Sequence, residues 1–470
     1  GGLNLQSTAT RQKLNRNLRD GQVMVKEQRP IVSWSSTGTP RMKLRVIRGG
    51  NLADIPQLQG LPEAVRLEMK VVAGVLPFKV NSYIIENLID WSNIPEDPIF
   101  RLTFPHRNML PPEIFDEAAK ALERNLDISV ARERWWQQLN PDPSGQLDLN
   151  VPIFRNRPLR GLQHKYAKTV LVFPSQGQTC HAYCSYCFRW PQFVGKDSLR
   201  HSISDPSVVR DYLRANVDVT DVVFTGGDPM VMSTARLRQY VEPLLTDDMS
   251  HVRQVRFGTK ALAYWPARFT DGPDAENLLR LFERIIESGR SVAVMAHLSH
   301  PRELEPSAAL RAVQSIRNTG AVIRSQAPVV RGVNDSADTW AQLWTEQAQL
   351  GITPYYMFIE RNTGANRYFE LPLHSVTEIY RGAASRVSGL ARTAQGPVMS
   401  VTQGKIAIDG IAEIHGSRAF VCRYIQARDP TLVGRPFLTE WDPRATWYDD
   451  LRPFGCAGLG TSGPQNAADR

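Results

Sequence analysis

Cys180-His181-Ala182-Tyr183-Cys184-Ser185-Tyr186-Cys187 holds three of the chain's five cysteines. The other two, Cys422 and Cys456, lie far downstream. A disulfide framework would spread paired cysteines along a short secreted chain. A closed zinc site would want four ligands, usually as two separated pairs. Three thiolates suit a cubane iron–sulfur cluster held at three irons, with the fourth iron open to a non-protein ligand. His181 and Cys422 keep zinc open as an alternative here, and buried incidental thiols are the plain one.

The cysteines follow a short apolar strand, Thr169 to Phe173, which begins a regular rhythm. Further strands read at Asp221–Thr225, Val255–Gly258, Val292–Met295, Ala321–Arg324 and Tyr355–Ile359. Helical stretches lie between them at Asp205–Ala215, Thr234–Leu245, Ala275–Ser288, Pro306–Asn318 and Ala337–Leu350. Strands alternating with helices of this length predict βαβ units and a parallel sheet. Right-handed crossovers would curl six such strands into a barrel or part of one, with ligands at the C-terminal strand ends. The cysteine stretch falls at such an end. The fold class is therefore α/β.

Around this core, residues 1–40 read as a flexible arm and 41–162 as a helical N-terminal domain. Residues 163–365 form the partial barrel, 366–450 a small C-terminal α+β element and 451–470 a tail. Leu61–Glu68, Asn81–Trp91 and Pro111–Leu126 carry helical spacing, with Pro and acidic residues near two of the starts. Asn140–Gly145 is a Pro/Ser/Gly loop. Beyond Glu360, His374–Leu390 reads as a helix. Val398–Ile414 reads as short strands broken at Gly404 and Gly410, and Ala419–Tyr424 as another strand.

The chain has 470 residues and a formal net charge of +9. Its basic residues are scattered, without a Lys/Arg block or aromatic ladder, so no nucleic-acid surface is expected. No run of 18 apolar residues suggests a membrane span and no apolar signal core is present. With reduced cysteines, this predicts a cytoplasmic location.

Thr225-Gly226-Gly227-Asp228-Pro229 follows the second strand, where two glycines permit close backbone approach. Together with Cys-x3-Cys-x2-Cys, in which Tyr186 precedes the last cysteine, it resembles the radical S-adenosylmethionine (SAM) superfamily. The likeness is specific to one branch, the lysine 2,3-aminomutase family. It is carried by Gly161–Tyr166, Cys187-Phe188-Arg189, Ala296–Glu303, Gln326–Asp335 and Pro354-Tyr355-Tyr356. These span about residues 155–410 and together mark a divergent member.

The resemblance implies a partial (β/α)6 radical SAM barrel and a [4Fe–4S] cluster on Cys180, Cys184 and Cys187. SAM would sit on the open iron, with Gly226, Gly227 and Asp228 near its methionine part. It also implies pyridoxal 5′-phosphate (PLP) on a lysine in a Gly-Lys pair, here Lys405, with Lys165 as a phosphate contact. Lysine forms a Schiff base when its amine is desolvated. Arg189 matches an arginine that takes the substrate carboxylate, a role suited to its planar fork. The implied reaction moves an α-amino group to the β carbon of lysine or a related amino acid. A reductant such as flavodoxin or ferredoxin and homo-oligomers would accompany it.

The sequence departs from the family at several points. The glycine run has shrunk to Gly404. Ser185 replaces a second arginine, and an aspartate upstream of the lysine is absent from Pro397–Gly404. Glu360-Arg361 stand where another aspartate is expected, leaving Glu360 for a cationic group or Arg361 for an anionic one. The C-terminal zinc cysteines of some relatives are missing. A PLP-independent radical SAM enzyme and a zinc-stabilised binding protein remain the alternatives at this stage.

Overall fold

A computed structural model describes residues 44–142 and 147–455. The expected arm at 1–40, part of the Asn140–Gly145 loop and residues 456–470 of the tail, with Cys456, lie outside the described residues. Two small antiparallel pairs come first: β1 (Val46–Arg48) with β2 (Lys79–Asn81), and β3 (Ile153–Phe154) with β4 (Arg157–Pro158). The main sheet then adds eleven strands in sequence order. β5 (Leu162–Tyr166) runs antiparallel to β6 (Thr169–Val172). β6 opens a parallel series with β7 (Asp221–Phe224), β8 (Gln254–Thr259), β9 (Ser291–His297), β10 (Val322–Val329) and β11 (Ile352–Ile359). These are the six strands read from the sequence, each followed by its crossover segment, as right-handed winding requires.

The alternation within each strand explains the layering. On β8, Val255 and Phe257 are fully buried, and Phe257 meets Phe282 at a ring separation of 5.3 Å. Phe282 belongs to the helix Pro273–Glu287, which also buries Ala275, Leu278, Leu281 and Ile285 at three- and four-residue spacing. Each such side chain contributes roughly 1.5–3 kcal/mol by leaving water. Arg256 and Gly258, the alternate residues of β8, lie on the opposite face of the sheet, which is the face that carries the site.

The C-terminal strands extend this sheet rather than standing beside it. β12 (Gln395–Ser400) pairs parallel with β11. β13 (Gly404–Ile414), β14 (Ser417–Ala427) and β15 (Pro436–Glu440) follow antiparallel. Gly404 begins β13 as expected, but Gly410 does not end it. The strand continues through a register shift between Ile408 and Gly410. It turns at His415-Gly416, both at positive φ, the conformation of a tight hairpin.

The N-terminal helices Glu63–Val75, Ser82–Asn87, Pro98–Thr103, Pro112–Glu123 and Ser129–Leu139 share one buried apolar cluster with the strands. The sequence reading did not find Pro98–Thr103. Its start is fixed by Asp97, whose Oδ1 accepts from the backbone N–H groups of Ile99 and Phe100. No helix among the described residues is long and apolar enough to cross a membrane.

Candidate functional site

The cysteine loop leaves the C-terminal end of β6 and is gripped from two sides. On the N-terminal side, the Tyr183 N–H donates to Lys79 O and the Ser185 N–H to Leu102 O, both at 2.8 Å. The Lys79 ammonium donates to Thr179 Oγ1 at 2.6 Å and to Cys180 O at 3.0 Å. Burial pushes the Cys180 thiol well above its ordinary range, Cys184 up to about 11 and Cys187 up to about 12. Neighbouring thiols add to the rise at Cys180 and Cys187, so the three groups feel one another. A cation opposes each rise: Lys79 at Cys180, Lys260 at Cys184 and Arg189 at Cys187. Buried, mutually repelling thiols ringed by cations become thiolates readily only when a metal centre takes their charge. That donor set fits an iron–sulfur cluster.

On the barrel side, Gly226 and Gly227 serve the loop itself. A Cβ on Gly227 would fall 2.3 Å from Thr179 O and 2.5 Å from Thr179 N. Gly226, at φ +132°, lies against the Gln178 side chain. The close approach that the glycines allow is thus to the segment entering Cys180. Asp228 is 2% exposed and its carboxylate is fully engaged within the protein. It accepts from Thr259 Oγ1 at 2.7 Å, the Lys260 N–H at 3.0 Å and the Met230 N–H at 2.9 Å, and pairs with His181 Nε2 at 3.1 Å. His181, which had kept zinc open, makes this contact through Nε2, while its buried Nδ1 has no hydrogen-bond partner among the described residues. Cys422 is buried within β14, where its pKa responds to Thr439 and Asp409 and not to the three cysteines. Lys260 continues the network: its ammonium donates to Glu303 Oε1 at 2.7 Å, and Glu303 accepts from the Ser299 N–H at 2.6 Å.

Lys405 lies at the start of β13. Its ammonium donates to Gln426 Oε1 at 2.5 Å and sits over the rings of Tyr166 and Tyr356, at 4.9 and 5.3 Å. Burial, with Arg256 and Arg361 adding to it, brings this amine down to about 7. Lys165 is likewise lowered to about 7 by burial and by Arg361, Lys405 and Arg428. The Lys165 ammonium donates to the carbonyls of Val401 and Gly404. A Cβ on Gly404 would fall 2.1 Å from Gln426 O, so the one glycine retained before Lys405 is required by the neighbouring strand. A half-deprotonated amine between two tyrosines, with further cations around it, is a donor set that fits an aldehyde cofactor carrying a phosphate.

Arg189 and Arg361 lie between these two regions. The Arg189 guanidinium sits over the Phe173 and Phe188 rings, at 4.5 and 4.9 Å. Arg361 sits over Phe188 at 4.6 Å and donates to Ser400 O at 2.9 Å. Burial lowers Arg189 to about 10, partly offset by Cys187 and reinforced by Arg361. Glu360 is 6% exposed, and burial with Glu370 pushes its carboxyl well above the usual range. The sequence reading missed Lys79, Lys260, Tyr166, Tyr356, Phe188 and Gln426. Tyr166, Tyr356 and Phe188 carried a local signal, each lying within a stretch quoted for the resemblance, whereas Lys79, Lys260 and Gln426 carried none.

No family model matches the chain. The protein described as "Putative L-lysine 2,3-aminomutase" from Aquifex aeolicus is 31% identical over 401 residues, 85% of this chain and 94% of that protein. L-lysine 2,3-aminomutase of Clostridium subterminale is 28% identical over 246 residues, covering 52% of this chain and 55% of that one. Glutamate 2,3-aminomutase of Clostridioides difficile is 25% identical over 287 residues, covering 60% and 61%.

Proposed function

Because this chain belongs to the lysine 2,3-aminomutase family of radical SAM isomerases, we propose that it moves the α-amino group of an amino acid to the β carbon, with Lys405 as the PLP-bearing residue. One observation carries the reading. Contacts run from the loop to the lysine: Phe188, next to Cys187, lies under both Arg189 and Arg361, Arg361 donates to Ser400 O, and Ser400 pairs with Lys405 between β12 and β13. The cysteine loop and the candidate cofactor lysine therefore face one interior.

Enzymes of this family use a [4Fe–4S] cluster, SAM and PLP. When bound, these groups supply a 5′-deoxyadenosyl radical that removes a substrate hydrogen and a conjugated ring that spreads the unpaired electron during migration. The chain's own residues then have distinct tasks. Cys180, Cys184 and Cys187 are the cluster ligands. Gly226 and Gly227 line the strand end beside them, where the methionine part of SAM would sit. The amine of Lys405, near neutrality at physiological pH, is available as a nucleophile. Tyr166 and Tyr356 flank that amine and limit water around it. Lys165 supplies positive charge for a phosphate. Arg189, stacked on two rings, offers its planar fork to the substrate α-carboxylate. A low-potential reductant of the flavodoxin or ferredoxin class, a homo-oligomeric state and a cytoplasmic location complete the proposal.

The test is anaerobic. Reconstituted, reduced enzyme with SAM and PLP is supplied with single amino acids, and 5′-deoxyadenosine and β-amino acid are scored together. The reading expects both from at least one amino acid. Deoxyadenosine with no β-amino acid from any of them would instead favour a PLP-independent radical reaction.

A further inference from the structure

Three cations face the three cysteines, and two of them have another charge to answer. Lys260 is paired with Glu303 at 2.7 Å, and in the proposed chemistry Arg189 takes the substrate carboxylate. We propose that Lys79 is the counter-charge of the iron–sulfur cluster and holds its reduction potential up, so that a one-electron donor of the flavodoxin or ferredoxin class can reduce it. This deepens the reading of Cys180, Cys184 and Cys187 as cluster ligands and rests on it.

Lys79 opens β2 and is 6% exposed. Its ammonium donates to Thr179 Oγ1 at 2.6 Å and to Cys180 O at 3.0 Å, and lies 4.4 Å from the centre of the Tyr183 ring. These three partners are neutral, and all belong to the segment that carries Cys180. Lys79 makes no ion pair among the described residues. Tyr183 is stacked on Phe193 at 4.7 Å, which shields the ammonium further. Burial disfavours the charge on Lys79, the Cys180 thiol favours it, and exposed Arg48, its cross-strand neighbour on β1, opposes it. Asp228 also acts on Cys180, from the barrel side, but its carboxylate is bonded to His181, Thr259 and two backbone N–H groups. Hydrogen bonds to neutral acceptors do not fully offset the burial of a cation. A neutral glutamine would hold the same two oxygens at lower cost. An ammonium at this place needs an anion beside it, and the cluster implied by the three thiols is that anion.

A cubane held by three thiolates is anionic and gains a further negative charge when it takes up an electron. A fixed positive charge beside it stabilises the reduced form more than the oxidised one. In a buried region of effective dielectric constant near 20, a unit charge several ångströms away changes such an equilibrium by about ten-fold or more. Lys260 contributes less, because Glu303 cancels its charge. Lys79 acts through its charge and through the Cys180 carbonyl, so it is a positioning residue and not a catalytic one.

The test is a potentiometric titration of the full chain, reconstituted with iron and sulfide and free of SAM. The electron paramagnetic resonance signal of the reduced cluster is followed, and iron per chain is measured in parallel. Lys79→Met and Lys79→Gln remove the charge, the second keeping an N–H donor. Lys79→Arg keeps the charge, and Thr179→Val removes one hydrogen bond and leaves the charge in place. At a fixed solution potential the two neutral variants are expected to lower the ratio of reduced to oxidised cluster at least about ten-fold, a midpoint about 59 mV more negative for a one-electron couple. Lys79→Arg and Thr179→Val should stay within about two-fold of the parent. Neutral variants that hold iron and keep the parental midpoint overturn the proposal. So does a Thr179→Val shift as large as that of Lys79→Met, which would assign the effect to loop geometry. Neutral variants that hold no iron while Lys79→Arg does also overturn it, because the ammonium would then serve assembly alone. A parent chain that forms no cubane sinks the cluster reading itself, and the proposal with it.

Discussion

The cysteine loop and the Lys405 strand face the same interior but are built in opposite ways. The loop is pinned by direct bonds from both sides: Lys79 of β2 and Leu102 of the helix Pro98–Thr103 from the N-terminal region, and Asp228, with its four donors, from the barrel. The Lys405 ammonium donates to Gln426 and is otherwise flanked by two rings and by the like charges of Arg256 and Arg361, which Asp221 only partly opposes. One region is rigid by satisfied polarity, and the other is kept reactive by unmet polarity. Buried polar networks rigidify when fully paired, whereas a desolvated amine stores chemical potential for a ligand. A site that must hold a cluster fixed and exchange a covalent partner needs both.

Changes on the Lys405 side should strike function and spare the fold. Lys405→Ala is expected to lower β-amino acid formation by more than about 1,000-fold and to abolish PLP uptake. Its melting temperature should stay near that of the parent, since the change removes a buried, poorly paired amine. On the loop side the pattern reverses. Asp228→Ala strands His181, Thr259 and the Lys260 N–H, and should cost roughly 3–5 kcal/mol in denaturant unfolding, with iron content falling alongside.

Two glycines give a matched pair of smaller size. Gly227→Ala drives a Cβ into the Thr179 backbone, and Gly404→Ala drives one into Gln426 O. Each should cost about 1–3 kcal/mol. The first is expected to lower iron retention with PLP uptake kept, and the second to do the opposite. Parallel loss of both groups in either variant would erase the distinction between the regions.

pH gives a separate readout. Lys165 and Lys405 titrate at about 7 in the folded chain, against roughly 10.4 when unfolded. Between these values the unfolded chain binds more protons, so stability of the PLP-free protein rises with pH across that window. Thermal melts from pH 6 to 10 check the slope, and Lys405→Met should flatten it.

Most of the barrel was legible in the sequence because strands buried under helices announce themselves by short apolar runs and turn residues. The cluster ligands were legible because all three lie within one short loop. The rest depended on contacts between distant residues. Nothing near Asp228 says that its partners are His181 and Thr259, and nothing near Lys79 says that it closes on Thr179. Gly410 read as a strand end because a bulge and a break look alike in sequence. The two glycines of Gly226-Gly227 read as room for a ligand, and the nearest occupant of that room is the chain itself. Phe188 was quoted in a motif, but its place under two guanidiniums follows only from the fold.

The central claim is that the cysteine loop and Lys405 act on one substrate. Anaerobic holoenzyme given SAM and an amino acid deuterated at the β carbon tests it directly. Deuterium should enter 5′-deoxyadenosine and return to the β-amino acid product, and Lys405→Ala, with its iron intact, should lose both transfers. Undiminished deuterium transfer into 5′-deoxyadenosine in that variant would contradict the claim, because hydrogen abstraction would then proceed without the lysine proposed to carry PLP.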